Sequence, residues 1–520
     1  VDAHARRTRS TIQWAGLLTG PLMALLTYWL LPESYADTHG ELVSFGHAGR
    51  ATTATAVWMA IWWMTEAIAI YATALLPLAL LPLLGATSIQ QAARPYGHEL
   101  IYLFMGGFIL ALSMQRWGLH RRLAYFALQL VGTRASHIVG GFMLVTATFS
   151  MWVSNTATTL AMLPIALSVI ELALGPGRDH PHEETRPSLP DQGSGFALCL
   201  FLGIAYAASI GGIGTIVGTP PNLFMASFVK SQLGLEISFV RWMGVGLPLV
   251  GIFLPLVWVL LTRVLYPLGS SRIEGGAALT RDAYRGLGPM NRGERITGIV
   301  FLLTVGAWIF RPLLVGIEVG GLRPLAGLSD PGVAMIAALS LFVIPVDMRR
   351  RVFTMNWETA VKLPWGLLVL FGGGLSLAAA LKANGVGEWI GNQMGALAGL
   401  PSVVLVLGVV AIVIFLTELT SNTATTATLL PILAGLAPGL GLDPMLLIVP
   451  AAIAASCAFM LPVATPPNAI VFGSGHVTIP QMSRAGLWLN VTGILLITGL
   501  TYAVAMPLLG VNPVTALSTP

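Results

Sequence analysis

Apolar runs of about 20 residues recur along the whole chain, a length that suits helices crossing a hydrocarbon core of roughly 30 Å. The runs are continuous and do not alternate with period two, which sets aside a transmembrane β-barrel. The pattern predicts a first helix at 12–31, two more within 53–85 with a break near Tyr71, and a fourth at about 100–118. A short amphipathic stretch at 120–131 leads to an apolar hairpin, 136–152 and 156–174, broken at Ser154-Asn155-Thr156. A fifth helix begins at Phe196 and is interrupted from Gly214 to Pro221, and a sixth covers about 242–266. Beyond a polar stretch come helices at about 296–314, 331–346 and 364–381. A second hairpin is broken at Ser421-Asn422-Thr423, a tenth helix is interrupted from Pro462 to Pro467, and an eleventh spans about 487–509. The expected fold class is an all-α polytopic membrane protein with eleven transmembrane helices plus two re-entrant hairpins.

Composition agrees. Of 520 residues 55% are hydrophobic and 9% charged, against about a quarter charged in soluble domains, so most of the surface must face lipid. Cys199 and Cys457 both lie in apolar segments, which excludes a disulfide framework, and metal-ligand spacing is absent. The net charge of +5 reads as cytoplasmic loops of a membrane protein and not as nucleic-acid binding. The first apolar segment follows Arg6, Arg7 and Arg9; it is too long for a signal-peptide core and has no small-residue cleavage site, so it is expected to be a retained helix. With the N-terminus cytoplasmic and both hairpins re-entrant, 20 of the 27 Lys and Arg fall on the cytoplasmic side, the remaining 7 opposite. Fully crossing hairpins would weaken that bias.

The chain repeats itself. Ser154-Asn155-Thr156-Ala157-Thr158-Thr159 recurs as Ser421-Asn422-Thr423-Ala424-Thr425-Thr426, an offset of 267 (421 − 154), and each copy is followed by Leu-Pro-Ile. Gly218-Thr219-Pro220-Pro221-Asn222 recurs as Ala464-Thr465-Pro466-Pro467-Asn468, an offset of 246 (465 − 219). The polar segment Gly175 to Gly195, present only in the first half, supplies the difference. The first hairpin enters from the cytoplasm and the second from outside, so the repeat is inverted, the signature of secondary carriers. The expected domains are 1–52, the first helix and a loop; 53–266, a first repeat with its cytoplasmic-side hairpin at 136–174; 267–294, a cytoplasmic linker; and 295–520, a second repeat with its outward-side hairpin at 402–437.

Irregular backbone at membrane depth survives only when buried in protein or lining a cavity. A Ser-Asn-Thr tip between half-helices offers backbone donors and a partial positive charge to an anion. The carbonyls ending the preceding half-helix suit a hard cation, and the Thr-Pro-Pro breaks free further carbonyls because proline donates nothing. The motifs contain no Arg or Lys, so binding would rest on dipoles, hydroxyls and sodium charge. A single Ser-Asn-Thr reads as helix packing; two copies, each with a Thr-Pro-Pro-Asn, read as a site. Glu66 and Glu418 lie in apolar segments, where an ionisable group is a functional candidate set against a structural hydrogen bond. Trp58, Trp62 and Trp63 read as interfacial packing, the Asp179 to Glu184 run as a solvated loop, and Gly372-Gly373-Gly374, with no strand before it, as no phosphate loop.

At these residues the chain resembles the divalent anion/sodium symporter family, di- and tricarboxylate or sulfate carriers of the INDY-like kind. The resemblance spans nearly the whole chain and is most specific at Ser456-Cys457-Ala458-Phe459-Met460-Leu461-Pro462-Val463-Ala464, continuing through Asn468-Ala469-Ile470-Val471. Trp63-Met64-Thr65-Glu66-Ala67-Ile68 and Leu363-Pro364-Trp365-Gly366 are also similar to family sequences. The resemblance implies a homodimer in which a transport domain moves against a scaffold. It implies a first sodium at Ser150, Ser154, Asn155 and Gly218, and a second at Thr417, Thr420, Asn422 and Ala464. Substrate carboxylates would meet Asn155, Thr156, Asn422, Thr423, Thr465 and Pro466, with Thr219 and Pro220 as symmetry partners. The expected function is sodium-coupled symport of a C4-dicarboxylate in a bacterial inner membrane, with no enzymatic activity. The alternatives are a sodium-independent dicarboxylate exchanger, a sulfate or citrate symporter, and, from another class, an anion channel, which would need a charge-lined pore.

Overall fold

The computed structural model describes residues 10–36, 41–129, 132–174, 192–269, 276–393 and 399–511; the arginines before the first helix and the Asp179 to Glu184 run lie outside them. Helix α1 (Thr11–Leu30) opens on a reciprocal cap, Gln13 N donating to Ser10 Oγ and Ser10 N to Gln13 Oε1. It packs on α2 (His47–Thr65), to which a short antiparallel pair, β1 (Ser34–Ala36) and β2 (Leu42–Ser44), leads. Glu66, at φ 48°, ends α2; α3 (Ile70–Thr73), α4 (Leu76–Leu83), α5 (Ile89–Ala93) and α6 (Glu99–Trp117) follow. The break thus falls before Tyr71, which lies inside α3. Gly118, left-handed at φ 76°, turns α6 into the amphipathic α7 (Leu119–Leu128). The first hairpin is α8 (Ala135–Ser150) and α9 (Asn155–Leu174); then come α10 (Gln192–Gly212), α11 (Pro220–Phe228) and α12 (Phe239–Val259).

The linker is partly helical. It holds α13 (Gly276–Gly286), and α14 (Arg292–Val315) starts inside its predicted end because Asn291 and Glu294 form a capping box there. The second half continues with α15 (Asp330–Val343), a pair β3 (Pro345–Asp347) and β4 (Val352–Phe353), and α16 (Trp357–Ala360), α17 (Trp365–Ala383) and α18 (Val386–Gln393). Its hairpin is α19 (Ser402–Thr417) and α20 (Asn422–Gly439), followed by α21 (Met445–Ala454), α22 (Pro466–Phe472), α23 (Ile479–Leu500) and α24 (Met506–Leu509). The hairpin helices begin 267 positions apart, α8 to α19 (402 − 135) and α9 to α20 (422 − 155).

Six helical spans among the described residues are long and apolar enough to cross a membrane: Ile89–Trp117, Gly195–Gly212, Phe239–Leu265, Arg292–Val315, Trp365–Ala383 and Ile479–Leu509. The protein is a multi-pass membrane protein. Helices α1 and α14 turn Leu18, Leu22, Ile299, Leu302 and Leu313 outward, as lipid contact requires. The centre is the opposite: residues 196–219 and 445–459 are buried throughout. Close packing there depends on small residues; a Cβ on Gly211 of α10 would come within 2.3 Å of the Ala147 carbonyl of α8. Each half's broken helix is inserted in the other half: α22 packs on α9 and α10, and α11 on α20 and α21. At the edge, Arg122 of α7 forms a buried ion pair with Glu294 of α14, 2.9 Å long, and also donates to Gly288 O. That hydrogen-bonded carboxylate raises the Arg122 pKa further above its ordinary value.

Candidate functional site

Helix α8 stops at Ser150, the chain turns through Met151 to Ser154, and α9 starts at Asn155. Ser150 Oγ lies 2.6 Å from Asn155 Oδ1 and 2.6 Å from the Ala208 carbonyl of α10. With the Asn155 side-chain oxygen turned toward the hydroxyl, the one proton of Ser150 faces two acceptors. Ser154 Oγ accepts from Ala157 N at 3.4 Å, and Thr159 Oγ1 donates back to Asn155 O at 2.8 Å. The tip is tied to the α10–α11 break by Thr215, whose hydroxyl donates to Met151 O and accepts from Gly218 N at 3.1 Å. A Cβ on Gly212 would meet Asn155 Oδ1 at 2.7 Å and Gly218 O at 3.2 Å. Ser150, Asn155 and Gly218 are therefore gathered at one place, and Thr219 lies beside them, its own Cβ 3.3 Å from that same point.

The second tip repeats the construction. Thr417 Oγ1 lies 2.8 Å from Asn422 Oδ1 and 3.0 Å from Ala455 O, again one proton facing two acceptors. Thr426 donates back to Asn422 O at 2.7 Å. The copies then diverge. Thr420 shares a 2.6 Å hydroxyl contact with Thr425, whereas the equivalent of Thr420 is Val153 (420 − 267), and Thr158, the equivalent of Thr425, is buried with its hydroxyl unpartnered. Thr465 caps α22, accepting from Asn468 N at 3.3 Å, with Pro466 after it.

The two breaks are held differently. The second spans 455–465, wider than the interval from Pro462 to Pro467, because the buried carboxylate of Glu418 takes the amides a helix would have used. Phe459 N donates to it at 2.7 Å, Met460 N at 3.0 Å, Leu461 N at 3.3 Å, and Asn490 Nδ2 of α23 at 2.8 Å. In the first half the equivalent residue is Met151, and the break is held by Thr215 and by Trp242 Nε1 donating to Ile213 O. Asn222 and Asn468 close both motifs, each donating its amide to carbonyls within its own break. The recurrence of these two asparagines in Thr-Pro-Pro-Asn is the signal the sequence holds for them, and their role follows only from the carbonyls they reach. Glu66 is exposed at the end of α2 and takes no part in the site.

Thr156 and Thr423 follow the asparagines, and neither hydroxyl has a hydrogen-bond partner among the described residues. Thr423 is buried and Thr156 half-buried. Access to the halves is unequal. Val463 is 79% exposed and Pro466 is exposed, whereas Val217, the equivalent of Val463, is 7% exposed. On the closed side Trp152 stacks on Trp308 and Phe239. Chemically, the arrangement offers two oxygen clusters for small hard cations and, beside each, a helix N-terminus with a free hydroxyl for an anionic group.

The family described as sodium:sulfate symporter transmembrane region has a model that matches residues 14–511. The chain is 41% identical over 504 residues to the sodium-dependent dicarboxylate transporter SdcS of Staphylococcus saprophyticus, covering 96% of this chain and 93% of that one. It is 40% identical over 506 residues to the protein of the same name from Staphylococcus aureus, covering 97% and 93%. Among solved structures, the antimetabolite efflux pump MtrF of Neisseria gonorrhoeae shares the fold at TM-score 0.60 and 13% identity, with 97% of each chain covered. The YdaH transporter of Alcanivorax borkumensis does so at 0.54 and 14%, over 96% of this chain and 98% of its own.

Proposed function

The chain belongs to the sodium:sulfate symporter family, and from that premise we propose that it carries a C4-dicarboxylate such as succinate, malate or fumarate together with sodium across a bacterial inner membrane. It is a carrier and not an enzyme, as its full-length relatives are transporters. Sodium is the co-transported ion. The first sodium sits with Ser150, Ser154, Asn155 and Gly218, the second with Thr417, Thr420, Asn422 and Ala464. The observation that carries this reading is the repeated oxygen cluster in which one hydroxyl proton faces two acceptors. A cation supplies the missing positive partner in both halves.

Cation binding fixes the two asparagines, and with them the starts of α9 and α20. The dicarboxylate then spans the tips, each end meeting a threonine, Thr156 or Thr423, beside its asparagine. Thr465 and Pro466 complete the second end, and Thr219 and Pro220 the first. Two sodium charges offset the two negative charges of the substrate, so the loaded site moves through the bilayer without a large charge-transfer cost. The unequal exposure of Val217 and Val463 supports alternating access, in which equivalent positions are covered in turn. In this reading eleven crossings and two re-entrant hairpins form each protomer, the N-terminus is cytoplasmic, and the transport domain of each half of a homodimer moves as a rigid body.

The test is uptake of labelled succinate into proteoliposomes, with external sodium and internal succinate controlled separately. Uptake should require an inward sodium gradient and no internal substrate. Uptake that needs internal succinate and ignores sodium would replace this reading with an exchanger.

A further inference from the structure

Asn222 and Asn468 stand 246 positions apart, the offset of the Thr-Pro-Pro motifs, and both side chains are completely buried. Asn222 Nδ2 lies 3.2 Å from Gly212 O, 3.2 Å from Ile213 O and 2.8 Å from Thr215 O. Asn468 Nδ2 lies 3.2 Å from Ala458 O and 3.0 Å from Leu461 O. In both copies the carbonyls taken are those ten and seven residues upstream. The orientation of each amide follows from its partners, since only an NH2 group can face several carbonyls. Each Oδ1 is buried without a hydrogen-bond partner. An orphaned buried acceptor carries a cost, so both halves spend one acceptor to keep the donors on the break.

Those carbonyls are one step from the oxygens assigned to sodium. Thr215, held by Asn222, takes the Gly218 amide on its hydroxyl. Leu461 O, held by Asn468, also takes the Ala464 amide at 3.2 Å. Several carbonyl dipoles gathered in a dry interior repel one another unless a donor stands among them. We propose that Asn222 and Asn468 are positioning residues for cation binding, amide clamps that hold the broken helices open so that Gly218 and Ala464 present their carbonyls to sodium. The proposal rests on the sodium-coupled reading above. Neither asparagine touches the cation in this account; each acts through the peptide it holds.

The test uses purified full-length protein and follows the melting temperature as sodium replaces choline, with no dicarboxylate present. Asn222→Leu and Asn468→Leu keep the volume and remove the donors. Each should need roughly tenfold more sodium for half the maximal rise, while uptake at saturating sodium keeps its maximal rate. A role confined to stability would lower the melting temperature in choline and leave the sodium midpoint where the parent has it. Midpoints within twofold of the parent's overturn the proposal.

If the leucine variants do not yield folded protein, Asn468→Asp decides. A protonated carboxyl donates one hydrogen bond and a carboxylate none, so the sodium midpoint should approach the parent's at about pH 5.5 and climb above it toward about pH 7.5. Each midpoint is read against the parent at the same pH, because Glu418, whose carboxylate faces this break through Met460 N and Leu461 N, is present in both. A pH-independent midpoint equal to the parent's also overturns the proposal. A parent whose melting ignores sodium overturns the function reading and this one with it; a responsive parent matched by its variants overturns this one alone.

Discussion

Ser150 and Thr417 hold the same post in the two halves of the protein: each hydroxyl lies within 3.0 Å of both the side-chain carbonyl of the asparagine five residues on and a backbone carbonyl of the broken helix beside it. Serine in one copy and threonine in the other keep the oxygen and differ by a methyl group. The shared element is therefore the oxygen cluster, repeated at an offset of 267, which is what the proposed cation sites require of both halves.

Removing that oxygen should weaken cation binding in either half. Ser150→Ala and Thr417→Val each delete one hydroxyl while the asparagine and the carbonyl stay. The expected rise in the sodium concentration for half-maximal uptake is roughly tenfold, the scale of losing one polar contact of about 1–2 kcal/mol. Asn155→Ala and Asn422→Ala should raise it further. Sodium titrations of succinate uptake decide, and unchanged midpoints in both single variants would remove the clusters from the cation sites.

The ion pair between Arg122 and Glu294 anchors α7 to α14, with both side chains over 90% buried. Arg122 also donates to the carbonyls of Leu287 and Gly288 ahead of α14. Breaking a buried pair strands a charge at about 3–5 kcal/mol. Glu294→Ala should lower the melting temperature of the purified protein sharply, with the sodium midpoint of the folded fraction unchanged. The paired change Arg122→Met with Glu294→Leu should recover much of the loss. A single variant as stable as the parent would show that the pair contributes little.

Topology and access can be read by cysteine chemistry, since Cys199 and Cys457 are buried. The turn from Arg349 to Arg351 is exposed and basic, with Arg349 N and Arg350 N donating to Asp347 Oδ1. Single cysteines there and in the polar segment Gly175 to Gly195, most of which lies outside the described residues, should be labelled only from the cytoplasmic side. Val463→Cys should react readily and Val217→Cys slowly in the resting protein, and turnover with sodium and succinate should raise reaction at Val217→Cys. Labelling of either segment from outside refutes the layout, and a Val217→Cys indifferent to turnover refutes the alternation.

The sequence carried the repeat, the two tips and the two breaks because each is written in residues that helices in lipid ordinarily avoid in such runs: Ser-Asn-Thr and Thr-Pro-Pro. It placed the break after α2 near Tyr71, a few residues late, because no glycine or proline marks the left-handed turn at Glu66. It did not carry the full width of the second break. Pro462 marks only its later part and Pro466 and Pro467 begin α22, while the hold on the amides of Phe459, Met460 and Leu461 comes from Glu418, distant in sequence from them. Long-range acceptors of that kind leave no local signature. The capping box at Asn291 was legible in principle, but it lies in a polar segment whose composition reads as a loop.

The last prediction concerns how the site separates charge from size. Thr156 and Thr423 stand at the starts of α9 and α20, two helix N-termini from opposite halves, and no protein group takes their hydroxyls among the described residues. In the proposed reading each donor meets one end of the substrate, so a ligand with an anionic group at each end should bind better than a compact tetrahedral one. A hydroxyl whose partner is removed at a buried site costs about 1–3 kcal/mol, or roughly 5- to 150-fold in affinity. Thr423→Ala should weaken succinate binding on that scale at saturating sodium, and Thr156→Ala should do the same in kind. Thr423 is the more buried, so its loss should be the larger. Monocarboxylates should compete poorly with labelled succinate in the parent, because one end of the site is then left without its charge. Sulfate competing as well as succinate, or normal binding in both alanine variants, would show that the two tips do not share one dicarboxylate.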